Sequence, residues 1–252
     1  MISTCITRER SAYQTGRLAP GDDRLFRPGG LELTARAMAR AGLGASATVL
    51  DIGCGAGDSV RYLRSIGIDA IGVDSSALPA EANCRELSAF ERIIAPAESL
   101  PFPDSAVDGV LAECSLSLIV DRERALAECA RVLKFGGRMM ISDLYARNPE
   151  AIVQVRSLRG SCAAGMIIRN ELETSLCKAG FVIDVWEDHS QALRECAARF
   201  LFEYGSLDGL WGCNCDASSQ AVQDAMRAAR AGYFLLIATR LGRGVPEGDG
   251  DE

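Results

Sequence analysis

The chain has 252 residues, of which 48% are hydrophobic and 24% charged, enough for one large α/β domain with a sizeable core. Its formal net charge of −7, without any basic run, argues against a nucleic-acid partner, because phosphate contacts need clustered Lys and Arg. No stretch approaches the ~20 apolar residues of a membrane span, and Met1 to Pro20 carries charges rather than an apolar leader core, so a cytoplasmic protein with no membrane partner is expected.

In chain order, residues 1–30 look irregular, and Arg27-Pro-Gly-Gly30 breaks the chain before a helix whose apolar residues recur at helical spacing over Leu31–Ala41. Gly42 and Gly44 end it. Residues 1–45 are expected as an arm and helix covering a cofactor site, with Tyr13 and Arg27 able to fold over a ligand, although an arm that merely covers the sheet competes with that use.

The next stretch organises the rest. Val49-Leu-Asp-Ile-Gly-Cys-Gly-Ala-Gly-Asp-Ser59 passes from apolar residues through Asp51 and three alternating glycines to a polar helix start, the pattern of a strand, a tight loop and a helix N-terminus. Glycine takes positive φ and has no Cβ, so Gly53, Gly55 and Gly57 allow a ligand to lie against bare backbone with amide N–H groups directed at it. Spacing narrows the ligand. Dinucleotide folds use G-x-G-x-x-G and phosphate loops end in G-K-[ST], whereas here the third glycine comes one residue early and no lysine follows. Asp51 at the strand end repels a pyrophosphate and suits an amine or a sulfonium. A helix over Asp58–Ile66, a stop at Gly67 and a strand over Asp69–Asp74 complete a β-α-β unit. Asp74 closes it near the ~20-residue offset at which a carboxylate reaches ribose hydroxyls, accepting two O–H bonds and rejecting a 2′-phosphate. The competing use of Asp74 is to cap a helix over Ala77–Ser88.

The alternation continues with a strand over Phe90–Ala95, a rigid loop over Pro96–Pro103 and a strand over Asp108–Ser115 that ends in polar residues. A helix over Asp121–Leu133, a break at Phe135-Gly-Gly137 and a strand over Arg138–Asp143 follow. Strand and helix in turn predict a mostly parallel sheet with helices on both faces, with the chemistry at the carboxyl ends of its strands. Beyond Asn148, helices over Val153–Leu158 and Asn170–Lys178 flank the small-residue loop Ser161–Met166. Strands over Phe181–Glu187 and Tyr233–Thr239 have helical segments and Gly212-Cys-Asn-Cys-Asp216 between them. Residues 148–180 and 191–232 are therefore insertions in a domain spanning 46–243, and the acidic tail 244–252 is expected to be disordered.

Four motifs in order carry a resemblance. Val49 to Gly57, Val73-Asp74, Ala97-Glu98-Ser-Leu-Pro-Phe102 and Arg131-Val-Leu-Lys-Phe-Gly-Gly137 resemble the cofactor loop, ribose acid, adenine loop and turn of the class I S-adenosylmethionine-dependent methyltransferases, of the small-molecule, ubiquinone-biosynthesis type. The resemblance covers Thr48 to Leu144 and implies a doubly wound, mostly parallel seven-stranded sheet with an antiparallel C-terminal strand and helical additions. It implies S-adenosyl-L-methionine as cofactor, contacted by Asp51, Gly53, Cys54, Gly55, Gly57, Asp74, Ser75, Ala97, Glu98 and Glu113. Members often carry Gly-Asp before the Ala-Glu, where this chain has Ala95-Pro96, which leaves the backbone of Ala97 to meet adenine. Phe135 replaces the usual proline of the turn, and Cys54 reads as a small filler in a crowded loop.

A narrower resemblance concerns the acceptor. Glu113-Cys-Ser-Leu-Ser-Leu118, Ser142-Asp-Leu-Tyr-Ala146 and Gly160-Ser-Cys-Ala-Ala-Gly165 are similar to the run in arsenite methyltransferases, which implies Cys114 and Cys162 as thiols for a soft trivalent centre, with Cys213 or Cys215 as a third. Glu113, Ser115 and Asp143 are possible orienting or basic groups, although ordinary hydrogen bonding at strand ends competes with that use. The catalytic candidates are thus Cys114, Cys162 and Glu113. Ten cysteines in an enzyme-sized chain read as free thiols rather than a disulfide framework, those at Cys84, Cys129, Cys177 and Cys196 as helix packing. His189 is the single histidine, which leaves no His-rich metal site, and no metal is expected. Methyl transfer to a small-molecule acceptor, by a monomer or homodimer, is the expected activity. The alternatives are arsenite methylation, a non-catalytic S-adenosylmethionine-binding module, and a nicotinamide oxidoreductase, which needs the wider glycine spacing.

Overall fold

A computed structural model of the chain describes residues 27–76, 92–158, 162–207, 210 and 219–242. Tyr13, the helix expected over Ala77–Ser88, Cys84, Cys213, Cys215 and the acidic tail lie outside the described residues. Seven strands form one sheet: β1 (Thr48–Ile52), β2 (Asp69–Asp74), β3 (Arg92–Ile94), β4 (Val107–Glu113), β5 (Leu133–Ala146), β6 (Phe181–Asp188) and β7 (Ala231–Arg240). Their spatial order is β3-β2-β1-β4-β5-β7-β6. The β1, β2, β3, β4 and β5 pairings are parallel, and β7 runs antiparallel to both β5 and β6. The order reverses between β1 and β4. In open α/β sheets that reversal opens a crevice at the carboxyl ends of the strands, and here the glycine loop emerges into it.

Helices α1 (Gly30–Ala41), α2 (Asp58–Ser65), α3 (Arg122–Val132), α4 (Ile152–Arg156), α5 (Arg169–Lys178), α6 (Ser190–Tyr204) and α7 (Ser219–Ala228) cover the sheet. Successive strand residues point to opposite faces, so each strand feeds two cores. Leu50, Val110, Met139, Ile141 and Phe234 pack with α3 and α5, while Val49, Leu111, Met140, Tyr233 and Leu235 pack with α1, α2, α4, α6 and α7. Burial on both faces explains why β7 is an unbroken apolar run rather than an alternating one. Its residues Tyr233 to Ala238 are at most 1% exposed.

Several element limits differ from the sequence expectation. Of the strand expected over Phe90–Ala95, the described residues show Arg92–Ile94, paired with β2. The fourth strand stops at Glu113, because Cys114 turns the backbone into the left-handed region (φ 52°) and a 3-10 turn follows at Leu116–Leu118. β5 is longer than Arg138–Asp143, since its far end pairs with β7 through Ala146 and Ala231. Asp121 is the N-cap of α3, accepting from the Arg124 N–H at 3.0 Å, an interaction worth about 1 kcal/mol. The helix expected over Val153–Leu158 shrinks to the five residues of α4. Cys129 and Cys196 are buried at 3% and 2% exposure, as expected of packing cysteines. Cys177 is exposed and overturns that expectation: Leu172 and Leu176 form the buried stripe of α5, and the next residue is rotated about 100° away from it.

Candidate active site

After β1 the chain turns through Gly53, Gly55 and Gly57, whose φ angles are 75°, 52° and 81°. A Cβ on Gly53 would lie 2.4 Å from Ser115 Cβ, so the close approach of the β1 and β4 ends excludes any larger residue there. The expected ring of ligand-facing amides is not what the loop presents. Gly53 N and Cys54 N donate to Val73 O (2.8 and 3.2 Å), Gly57 N to Cys54 O (2.8 Å), and Gly55 N to Asp74 Oδ2 (2.9 Å). These amides fasten the loop to itself and to β2. The loop therefore supplies space rather than anion-binding donors, and charge recognition falls to the side chains around it.

Asp51 is 3% exposed, and among the described residues no donor reaches its carboxyl. Burial first, then the Glu113 carboxylate, push its pKa up to about 8, against the opposing pull of Arg27. Such a group is poised to accept a cationic ligand. Cys54, buried beside it, is pushed up to about 12 by burial and then by Asp51, which keeps it a neutral filler.

Glu113 is fully engaged. Its Oε2 accepts from Arg27 and from Ser59 Oγ (2.8 Å), its Oε1 from Thr34 Oγ1 (3.0 Å), and Arg27 Nη2 also donates to Thr34 Oγ1 (2.6 Å). This buried knot joins β4, α1 and α2 and presents no free carboxylate.

At the end of β2, Asp74 Oδ1 accepts from Ser76 N (2.9 Å) and Ser76 Oγ (2.7 Å) and faces the Arg92 guanidinium at 3.4 Å. With Gly55 N already on Oδ2, that oxygen has capacity for one ligand hydroxyl rather than two. Ser75 is exposed beside it. Arg92 also donates to Gly55 O (2.9 Å) and to Ser76 O, so it straps the loop from above.

Among the described residues, three buried side-chain polar atoms lack a partner: Ser115 Oγ, Arg27 Nε and Arg92 Nε. Two of these residues border the loop, Ser115 at Gly53 and Arg92 at Gly55, and Arg27 is joined through Glu113 to Ser59 of the helix that follows it. A buried unpaired polar atom costs about 1–3 kcal/mol, a cost that a polar ligand bonding these atoms would remove. S-adenosylmethionine fits this donor set. Asp51 suits its cationic amino acid end, Ser115 and Arg27 can bond the same end, and Asp74 can take a ribose hydroxyl.

Ala97, 7% exposed, lies in the loop after β3 and close to a turn in which Ser99 N bonds Pro96 O (3.1 Å). That loop is fixed from α3. Arg131 donates to Leu100 O (2.9 Å) and Phe102 O (2.7 Å) and is itself held by Glu128, whose other contact is Leu100 N (2.8 Å). Glu98 serves α3 too, its Oε1 accepting from Asp121 N (3.4 Å) and its carbonyl from Arg124 Nε (2.9 Å).

On the far side of β4, the strained Cys114 places its Sγ 2.9 Å from Tyr233 Oη, which lies 3.2 Å from Ser142 Oγ. Burial above all holds the Cys114 thiol and the Tyr233 phenol well above their usual ranges, so both are neutral. Asp143 is likewise raised by burial, although Ser117 N (2.8 Å) and Leu144 N (2.7 Å) both donate to it. Cys162 opens the 3-10 turn Cys162–Gly165, and its side chain is outside the described residues. That turn packs on Leu116–Leu118 so tightly that a Cβ on Gly165 would meet Ser117 O at 1.6 Å, and Arg122 clips the two together through Leu116 O (3.1 Å) and Gly165 O.

Sequence reasoning missed Thr34, Ser59, Arg92, Ser142 and Tyr233. Thr34 and Ser59 look like ordinary helix residues, and Tyr233 is hidden in an apolar strand. Arg131 lay within a quoted motif, but its grip on the adenine loop is a long-range contact.

Residues 50–141 match the family described as a methyltransferase domain. The demethylmenaquinone methyltransferase of Thermotoga maritima is 36% identical over 102 residues, 40% of this chain and 44% of its own. The O-methyltransferase resE of Aspergillus sclerotiorum is 33% identical over 221 residues, 83% of this chain and 81% of its own. The arsenite methyltransferase of Halobacterium salinarum is 33% identical over 145 residues, 53% of this chain and 37% of its own. The chain thus spans less than half the length of the first and third of these relatives and most of the second. Among solved structures, that of the cyclase SpnF superposes with a TM-score of 0.62 at 29% identity, covering 84% of this chain and 81% of the other.

Proposed function

The chain belongs to the class I S-adenosylmethionine-dependent methyltransferases and acts on small molecules, and we propose that its acceptor is an apolar molecule methylated on an acidic hydroxyl such as a phenol or enol. The cofactor supplies a methyl group already activated by its sulfonium. The protein's part is to bind, orient and exclude water. Asp51 and Ser115 would hold the amino acid end of the donor and Asp74 a ribose hydroxyl, while α1, tied to β4 by Arg27 and Thr34, would bound that side.

One observation carries the choice of acceptor: among the described residues, the carboxyl ends of β4 and β5 offer no free base. Glu113 and Asp143 are locked in internal bonds, and Cys114, Tyr233 and Ser142 form a neutral chain. A hydroxyl acidic enough to ionise without a dedicated base suits such a floor. Apolar side chains near that edge are uncovered, Leu118 at 60%, Val120 at 97% and Val153 at 74% exposure, and the relative of greatest coverage quoted above is named an O-methyltransferase.

A second reading, arsenite methylation, is supported by the likeness to the Halobacterium enzyme and by the position of Cys114. The bond to Tyr233 and the raised thiol pKa speak against a ready thiolate. Turnover of methyl-labelled S-adenosylmethionine over phenols, enols, aliphatic alcohols, amines and arsenite separates the two. Transfer to phenolic or enolic acceptors, retained in Cys114→Ser, is expected. Transfer to arsenite alone, abolished in Cys114→Ser, overturns the hydroxyl reading.

A further inference from the structure

Arg92 opens β3 and pairs in parallel register with Gly72 of β2, as Ile94 does with Asp74. Residues two apart on a strand face the same side, so Arg92, Gly72 and Asp74 share one face of the sheet. Gly72 has no side chain. A long side chain from Arg92 can therefore pass it and reach the carboxylate at the strand end.

Three parts of the candidate site meet at its guanidinium. Nη1 donates to Gly55 O (2.9 Å) in the glycine loop, Nη2 donates to Ser76 O after β2, and the group faces Asp74 Oδ1 at 3.4 Å. The Arg92 and Asp74 side chains are 9% and 14% exposed, so this is not a screened surface pair. The other donors to Asp74, Gly55 N on Oδ2 and Ser76 N and Oγ on Oδ1, come from the two loops themselves. Arg92 reaches both loops from a strand and fixes one against the other. Its Nε is buried without a partner among the described residues, a cost that an apolar side chain of similar length would avoid. Filling the space between β2 and β3 does not call for an arginine.

We propose that Arg92 is a positioning residue for the ribose of the cofactor: it holds the Asp74 carboxylate and the Gly55 carbonyl in one arrangement, so that the open lone pair of Asp74 Oδ2 meets a ribose hydroxyl without rotating first. The proposal rests on the reading of Asp74 as the ribose acceptor and adds the residue that makes this acceptor selective. A free carboxylate loses rotamer freedom when its ligand binds. One already held by a guanidinium loses little. The planar fork is what lets a single side chain serve Gly55 O, Ser76 O and Asp74 together, which the point charge of a lysine does less well.

Calorimetric titration of the full chain with S-adenosylhomocysteine and with its 2′-deoxy and 3′-deoxy forms tests this. Wild type is expected to bind one deoxy form roughly tenfold more weakly than S-adenosylhomocysteine, the effect of one lost hydrogen bond to a carboxylate. In Arg92→Met, S-adenosylhomocysteine affinity is expected to fall roughly tenfold while that deoxy form binds as it does to wild type, so the preference for the hydroxyl disappears. Arg92→Lys keeps the cation but not the fork, so its preference should lie between the two, and it carries the test should Arg92→Met fold poorly. Equal weakening of all three ligands would mean that Arg92 only supports the loop, and it overturns the proposal, as does a preference that persists in full in both variants. A wild type that does not distinguish the three ligands overturns the reading of Asp74 and the proposal with it. Asp74→Ala in the same titration separates these cases, because it should lose the preference whatever the part of Arg92.

Discussion

At the scale of single residues, the site is defined by groups whose needs the protein alone leaves unmet. Asp51 is the clearest. Its pKa is raised from the usual 3.8 to about 8 by burial and by Glu113. Between those values the unfolded chain is ionised while the folded one keeps its proton, so this residue's contribution to stability falls as pH rises from about 4 to 8. A cation bound at Asp51 favours the ionised form, lowers its pKa and expels that proton, so affinity for S-adenosylmethionine grows with pH across the same window. Calorimetry at pH 7 in two buffers of different ionisation enthalpy measures the proton directly. Wild type should release more protons on binding than Asp51→Asn, and equal release would show that Asp51 does not meet the cation. That an acidic residue suits a sulfonium or amine was legible from its place before the glycines. Its burial beside Glu113 was not, because the two are brought together only by the pairing of β1 with β4.

Secondary elements meet through pairs far apart in sequence, and Arg27 to Glu113 is the one on which α1 depends. The guanidinium, Thr34 and Ser59 surround a carboxylate whose side chain is 4% exposed. Removing one partner of a buried ion pair costs about 3–5 kcal/mol, whereas replacing both by apolar groups of similar size is often close to neutral. Chemical unfolding should therefore find Arg27→Met strongly destabilised and Arg27→Met/Glu113→Leu restored to within about 1–2 kcal/mol of wild type. Equal losses in the single and double variants would show that the pair's surroundings, not its charge, hold α1. Glu113 illustrates what a motif leaves open. Its position at a strand end pointed to cofactor or base, and Arg27 pointed to a ligand-covering arm. Neither spacing nor composition signals that the two bond each other across 86 residues. Element identities were far more legible, since period-two and period-3.6 patterns are local, but limits slipped wherever tertiary pairing extends or cuts a strand, as in β5 and β4.

For the whole molecule, the succession of strands and helices was enough to foresee a doubly wound sheet, and the family's ordered motifs foresaw seven strands with the last one reversed. The observed order β3-β2-β1-β4-β5-β7-β6 puts the glycine loop at the reversal point, beside Asp74 from β2 and Ser115 from the end of β4. What the sequence could not show is that the loop's own amides are turned inward, which under the proposed reading leaves recognition to the surrounding carboxylates and hydroxyls. The central claim is that these side chains hold S-adenosylmethionine at the carboxyl edge of β1, β2 and β4. Calorimetric titration of wild type and Asp74→Ala with S-adenosylhomocysteine, in the presence and absence of NAD, tests it most directly. The expected result is saturable binding to wild type, weakened roughly tenfold or more in the variant and indifferent to NAD; equal affinity in both proteins, or tight NAD binding with none for S-adenosylhomocysteine, would contradict it.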